Sequence, residues 1–360
     1  ERAGFEMGFL SGFATSAARL GEPDVGLISY AEMAEAARGV CAATARLPII
    51  GDGDTGYGNA LNVARTVEGY AQAGLAGIML EDQVMPKSCG HVRGKSVVGR
   101  AEAVSRMKAA LDARDASAEK HGGDPILVVG RSDARQAVSF AEALWRVEAF
   151  ADLGADLIFV DALESVEELA AFGAAAQKCG VPALANQLEG GGKTPLLSHA
   201  ELEDLGFKIA AYPLSLLSAS VQAMEGALAS LRAGRAPEPP AILSFPELQD
   251  VLGFEEYFRK ADAYANFADT YVAPTDEVSG VTVTAAGGGA DRPAGREDAA
   301  AVDAEFEKLR RDAQGAKAVE PKPEPGPAGE EEEAAASPAP VVVPEVLGVD
   351  ASRGSLDEWL

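Results

Sequence analysis

The sequence predicts an α/β fold of the (β/α)8 TIM-barrel type, and three observations carry that expectation. Short apolar runs alternate with amphipathic helical patterns along the first 270 or so residues. The runs are rich in Ile, Val, Leu and Ala and lack strict polar alternation, as expected of parallel strands buried on both faces. Carboxylates, one arginine and one amide collect at the carboxyl ends of these runs, the rim on which barrel enzymes carry their sites.

In chain order the strand-like runs are residues 5–11, 47–52, 76–82, 125–133, 156–161, 181–186 and 207–213. Helical patterns fill 30–45, 60–73, 101–120, 139–153, 165–179, 198–205 and 216–233, with Ser139 and Ser165 as N-caps. Seven strands are visible where such a barrel has eight. Residues 1–4 read as the end of a helix closed by Gly4, which places the first strand upstream of Glu1. The run 25–29 competes for that role, but next to Pro23 it reads as an extended connection. An open doubly wound sheet is the alternative architecture; its usual mark, a Gly-rich phosphate loop after the first strand, is absent.

The composition suits one large core with an appendage: 360 residues, 47% hydrophobic. A net charge of −25 argues against nucleic acid or an anionic membrane as partner. It leaves small anionic substrates open, because a local cation inverts the field of a site. No apolar run reaches the roughly 18 residues that cross a bilayer. Cys41, Cys89 and Cys179 lack metal-ligand spacing and are too scattered for a disulfide framework, so a reducing compartment is expected, cytoplasm or chloroplast stroma. The start at Glu1 leaves room for an upstream targeting segment. Composition changes at Pro274, dividing a barrel (1–274) from a tail (275–360). The tail has 19 acidic and 8 basic residues, net −11, with Gly287 to Gly289 and Glu330 to Glu333, and is expected to be mostly disordered. Within it, 303–311 suits a transient helix, and 341–343 with Trp359-Leu360 suits a docking motif; a solvated tail is the favoured expectation.

Five strand ends supply polar residues: Asp52-Gly53-Asp54, Glu81-Asp82, Arg131-Ser132-Asp133, Asp161 and Asn186. Clustered carboxylates repel unless a cation sits among them, and oxygen-only donors favour Mg²⁺ or Mn²⁺, with Asp52, Asp54 and Glu81 as the ligand set. The competing role for Asp52 and Asp54 is capping the next helix. Lys87, Cys89 and His91 share a short loop between Pro86 and Gly94, with Gly90 inside it. A thiol beside lysine and histidine is depressed in pKa and suited to proton transfer at carbon; the plain alternative is a buried small hydrophobe. Arg131 is the natural clamp for a substrate carboxylate, with an ion pair to Asp133 or Asp161 as its alternative use. The Gly-rich stretch 186–195 lacks the spacing of a phosphate loop, and His121 and His199 read as surface residues.

Several motifs together resemble the isocitrate lyase/phosphoenolpyruvate mutase superfamily over roughly residues 1–270: Ser11-Gly12-Phe13, Pro23-Asp24-Val25-Gly26, Gly51-Asp52-Gly53-Asp54-Thr55-Gly56-Tyr57-Gly58-Asn59, Leu80-Glu81-Asp82-Gln83 and Pro86-Lys87-Ser88-Cys89-Gly90-His91. The runs 59–114, 189–195 and 211–215 are most similar to the plant branch of carboxyvinyl-carboxyphosphonate phosphorylmutase-like proteins and petal death protein. The resemblance implies a barrel, a helical region at about 244–269 exchanged between subunits of a homotetramer, and Mg²⁺ near Asp52, Asp54 and Glu81. It implies that Ser11, Gly12 and Phe13 lie on a substrate carboxylate, that Arg131, Asn186 and Gly90 bind substrate, and that Asp161 stands where lyase relatives carry Glu. Cys89 matches the acid that protonates the enolate in lyases; mutases carry an Asn-like residue there. The implied function is a Mg²⁺-dependent carbon–carbon lyase or hydrolase of 2-alkylmalates, methylisocitrate-like acids or oxaloacetate. A phosphonomutase and a non-catalytic barrel with a partner-recruiting tail are the alternatives. Two departures stand out: the family's first strand has no counterpart in the chain, and the acidic tail none in the family.

Overall fold

The computed structural model describes residues 1–44, 46–88 and 94–271. Cys89, Gly90, His91 and the tail from 272 onward lie outside the described residues. The chain divides into two units, Glu1–Lys260 and Ala261–Leu360.

Unit one alternates strands and helices: β1 (Gly8–Leu10), α1 (Gly12–Leu20), α2 (Tyr30–Ala43), β2 (Ile49–Asp52), α3 (Ala60–Gln72), β3 (Gly77–Glu81), α4 (Arg100–His121), β4 (Leu127–Ser132), α5 (Ala134–Ala137), α6 (Phe140–Leu153), β5 (Leu157–Val160), α7 (Val166–Cys179), β6 (Ala183–Asn186), α8 (His199–Asp204), β7 (Phe207–Ala211), α9 (Ser215–Arg232) and α10 (Phe245–Leu252). A last helix, α11 (Phe254–Thr270), runs across the unit boundary. The strands form one parallel sheet in the order β1 to β7. A doubly wound sheet would reverse strand order at a switch point, so sequential order removes that alternative. β1 and β7 are the sheet's two edges, each paired with one neighbour among the described residues.

Both faces of the sheet are buried, and the period-two geometry of a strand sorts its residues between two cores. Ile49, Ile78, Leu80, Val128, Ile158, Val160 and Ala183 pack into the large cluster with the helices. Their neighbours Ile50, Met79, Val129, Phe159 and Leu184 form the inner cluster, joined by Phe9 and Ile209. Two residues beyond six of these seven inner side chains come Ser11, Asp52, Glu81, Arg131, Asp161 and Asn186, and beyond Ile209 comes Ala211. Strand parity therefore sends all six of these polar residues to the inner side at the carboxyl rim.

Caps fix the helix starts: Ser139 accepts from Glu142 N and Ser165 from Glu168 N, as expected. Two helices were not anticipated. α5 has only four residues. α1 opens on glycine one residue after a strand, which hides its periodicity, although Ser11 caps it and Gly21 closes it with φ +67°. Gly12 is required there, because a Cβ would lie 2.9 Å from Asp52 Oδ2. Residues 1–4 form a single turn, with Gly4 N donating to Glu1 O at 2.9 Å, and the 25–29 run joins no strand. Helices α9 and α10 bury none of their residues; Leu216, Phe245 and Leu252 are 83, 71 and 64% exposed. Among the described residues no helix is long and apolar enough to cross a membrane.

Candidate active site

A cavity opens at the carboxyl ends of the strands. Its floor is the inner core, Phe9, Met79, Phe159 and Leu184. Polar side chains on its wall are Ser11, Asp24, Asp52, Arg131, Asp161 and Asn186, with Phe13, Leu188, Pro213 and Leu214 as an apolar flank. Five of the six residues selected by strand parity line it. The sixth, Glu81, is buried behind Arg131, with Oε2 3.3 Å from Nε.

The β2 end is organised by Asp52. Its Oδ2 accepts from Gly12 N at 3.1 Å and its Oδ1 from Asp54 N at 3.2 Å. Asp52 thus ties the start of α1 to the turn after β2, while the cap of α3 is Asn59 and not either aspartate. Asp54 holds φ +47°, a left-handed conformation that a non-glycine residue takes at a cost and that concentrates at functional sites. Gly53 permits the close approach to β3: a Cβ would meet Met79 O at 2.8 Å.

Lys87 delivers positive charge to this corner. Its side chain is 3% exposed, with Nζ 2.5 Å from Asp24 Oδ1 and 2.9 Å from Asp54 Oδ1. The sequence groups Lys87 with Cys89 and His91, which lie outside the described residues; its ammonium meets two aspartates. Asp24 stands in the sequence only as part of a family motif with no role assigned, since it sits in an irregular connection that the fold carries into the cavity. Burial pushes the Asp54 carboxyl up to about 7, against the opposing pull of Lys87. Burial likewise lifts Glu81 well above the usual carboxylate range, despite Arg131.

Arg131 is both exposed to the cavity and tightly paired, so the two uses weighed for it coexist. Nε and Nη2 donate to the two oxygens of Asp133 at 2.9 and 3.0 Å, and Nη2 also donates to Asp161 Oδ2 at 2.9 Å. Nη1 makes no hydrogen bond among the described residues. Lys95, also unanticipated, contacts Asp133 and lies 3.2 Å from Asp161 Oδ2. Burial alone would raise Asp133, but Arg131 and Lys95 hold it below its ordinary value. Asn186 Nδ2 is 3.4 Å from Asp161 Oδ1. Asp82 turns away from this group and accepts from Ser132 Oγ (2.7 Å), Asp133 N (2.8 Å) and Arg146 Nη1 (3.1 Å).

Asp52, Asp54 and Glu81 reach the same rim. Among the described residues, though, no three acidic, histidine or cysteine side chains converge on a shared cation position. Asp54 Oδ2 and Glu81 Oε1 are buried without a hydrogen bond, which is costly for oxygens of this kind and leaves them able to accept from a hydrated cation. An oxygen-only anionic donor set of this kind fits Mg²⁺, which keeps several of its waters, better than a metal stripped to protein ligands alone.

Comparisons with known proteins identify the family. Residues 1–232 match the model of the phosphoenolpyruvate phosphomutase family. The chain is 39% identical to 2,3-dimethylmalate lyase of Eubacterium barkeri over 268 residues, covering 73% of this chain and 88% of the relative. Petal death protein of Dianthus caryophyllus is 35% identical, covering 74% of this chain and 81% of its own. Among solved structures, oxaloacetate acetylhydrolase with the inhibitor 3,3-difluorooxalacetate superposes with a TM-score of 0.68 at 33% identity, covering 73% of this chain and 86% of that one. Phosphonopyruvate hydrolase with oxalate and Mg²⁺ gives 0.61 at 29% identity, covering 73 and 87%. On this family match and these identities, the chain belongs to the phosphoenolpyruvate mutase/isocitrate lyase superfamily.

Proposed function

We propose that the chain is a divalent-cation-dependent enzyme that breaks or forms a carbon–carbon bond in small 2-hydroxy or α-keto dicarboxylic acids through an enolate. The observation that carries this reading is the convergence of Arg131, Asp161 and Asn186 with Asp52 and Ser11 on one cavity. Relatives named as lyases and hydrolases of such acids, and solved relatives holding oxalate and difluorooxalacetate, support it.

When bound, Mg²⁺ (or Mn²⁺) held by Asp52, Asp54 and Glu81 supplies positive charge beside the oxygen that becomes negative. Arg131 takes one substrate carboxylate, with Asn186 beside it. The start of α1, with Ser11, Gly12 and Phe13, receives the other carboxylate at the positive end of the helix. In cleavage a general base takes the 2-hydroxyl proton and the oxygen becomes a carbonyl. The electron pair of the broken bond passes to the departing fragment as an enolate, and Cys89 donates a proton to its carbon. The Cys89 assignment, with help from His91 and loop closure at Gly90, rests on the family resemblance. The exposed apolar residues of α9 and α10 suit burial against neighbouring copies, in the exchanged-helix homotetramer that the same resemblance implies.

Turnover of 2,3-dimethylmalate, other 2-alkylmalates, 2-methylisocitrate and oxaloacetate tests the proposal. Activity on at least one, abolished by EDTA and by Asp52→Ala with the fold intact, is expected. Interconversion of phosphonopyruvate and phosphoenolpyruvate without cleavage of any of these acids would show a mutase. A folded protein that turns over none of them would remove the enzyme reading.

A further inference from the structure

We propose that Lys95 is a positioning residue of this site, whose charge frees Arg131 to receive a dianionic substrate. The proposal deepens the reading above and rests on it. Arg131 faces three buried carboxylates, Asp133 at 2.9 and 3.0 Å, Asp161 at 2.9 Å and Glu81 at 3.3 Å. Asp161 also lines the cavity, where it repels an arriving anion. The Lys95 side chain is 2% exposed and touches both of these aspartates. Lys95 thus adds a second cation to the two aspartates that Arg131 already holds. Without Lys95 the same wall is one unit more negative, in a region where Coulomb interactions are only partly screened. The guanidinium would then be saturated by its own aspartates.

The backbone fixes where Lys95 stands. Val84 N donates to Ser96 O and Val98 N to Asp82 O, each at 2.9 Å, and Gln83 bridges to Val97. Its ammonium is thus delivered from outside the sheet onto the ends of β4 and β5. This origin in an irregular segment is why no periodic pattern marks it.

Titration calorimetry at fixed Mg²⁺ with oxalate, a dianion, and oxamate, the monoanion with one carboxylate replaced by an amide, separates charge from structure. Lys95→Met is expected to weaken oxalate binding by about tenfold or more and oxamate distinctly less. Lys95→Arg, and the double variant Lys95→Met/Asp161→Asn, should stay within about threefold of the parent for oxalate, since each restores the parent's balance of charge. Equal losses for both ligands, or no recovery in the double variant, would overturn the proposal and leave Lys95 a structural anchor. Should Lys95→Met fail to fold, Asp161→Asn alone decides: oxalate must gain over oxamate, and an unchanged ratio overturns the proposal. A parent that binds oxalate alongside an unaffected Lys95→Met overturns this inference only. A parent that binds neither ligand overturns the reading of the site and this inference with it.

Discussion

Removing the Asp82 carboxylate should damage the protein far more than removing Asp82 and Arg146 together. Asp82 is 2% and Arg146 3% exposed, and between them the carboxylate accepts three hydrogen bonds, from Arg146 Nη1, Ser132 Oγ and Asp133 N. Burial lifts Asp82 above the ordinary carboxylate range, and Asp133 adds to the lift, even with Arg146 present. The pair is therefore no net source of stability; the cost lies in stranding one member. Asp82→Ala leaves the buried Arg146 guanidinium only Glu142, which accepts from Nε at 2.8 Å, and strands Nη1 together with the Ser132 hydroxyl and the Asp133 amide, a combined cost of about 3–5 kcal/mol. For a domain of this size that lowers the melting temperature by roughly 6–20 °C. Asp82→Ala/Arg146→Met removes the stranded charge and leaves only the amide of Asp133 and the Ser132 hydroxyl unpaired, a cost of about 1–3 kcal/mol. Thermal and urea unfolding of parent, single and double variants measures both. A single variant within about 1 kcal/mol of the parent, or a double variant as unstable as the single, would refute the reasoning.

Cys89→Ser should lower the lyase kcat by ~100-fold or more with little change in KM, because general acid catalysis acts in the transition state; parental turnover would remove Cys89 as the acid. Asp54 predicts how stability varies with pH in the absence of metal. Its folded value of about 7 lies above the ordinary 3.8, so the folded state binds more protons between them. Its contribution is full below the unfolded value and is lost as pH rises through 7. In EDTA the melting temperature should fall from pH 5 to pH 8, and Asp54→Asn should flatten that fall; an unchanged slope would contradict the assignment. Ending the chain after Pro274 should leave turnover unchanged and the melting temperature within about 2 °C, since a segment that buries little apolar area adds little to a core; a larger drop would show that the tail packs.

Every strand of the sheet was legible as an apolar run, because parallel strands between helices and an inner core are buried on both faces and need no alternation. Their ends were less legible. The run 125–133 shrinks to Leu127–Ser132 and 207–213 to Phe207–Ala211, since chemistry-bearing residues continue past the last ladder bond. At the site, Asp52, Arg131, Asp161 and Asn186 could be found because each ends an apolar run, and Ser11 through the family resemblance; all five line the cavity. Asp24 and Lys95 could not be found this way. They belong to connections without a period, and only the completed fold carries their charges to the rim.

Strand parity also explains why two neighbouring acids have different partners. Glu81-Asp82 looks in sequence like a second copy of the Asp52-Gly53-Asp54 pattern. Glu81 follows Met79 of the inner cluster and meets Arg131. Asp82 follows Leu80 of the outer cluster and meets Arg146 on α6. The next strand repeats the division: Arg131 joins the cavity, while Ser132 donates outward to Asp82. An interior arginine on α6 thereby sets Asp82, Asp82 sets the amide of Asp133, and Asp133 holds two nitrogens of Arg131. The orientation of the cavity's arginine is thus anchored in the helix layer, so a substitution at Arg146, far from any ligand, should be felt first as a misplaced Arg131.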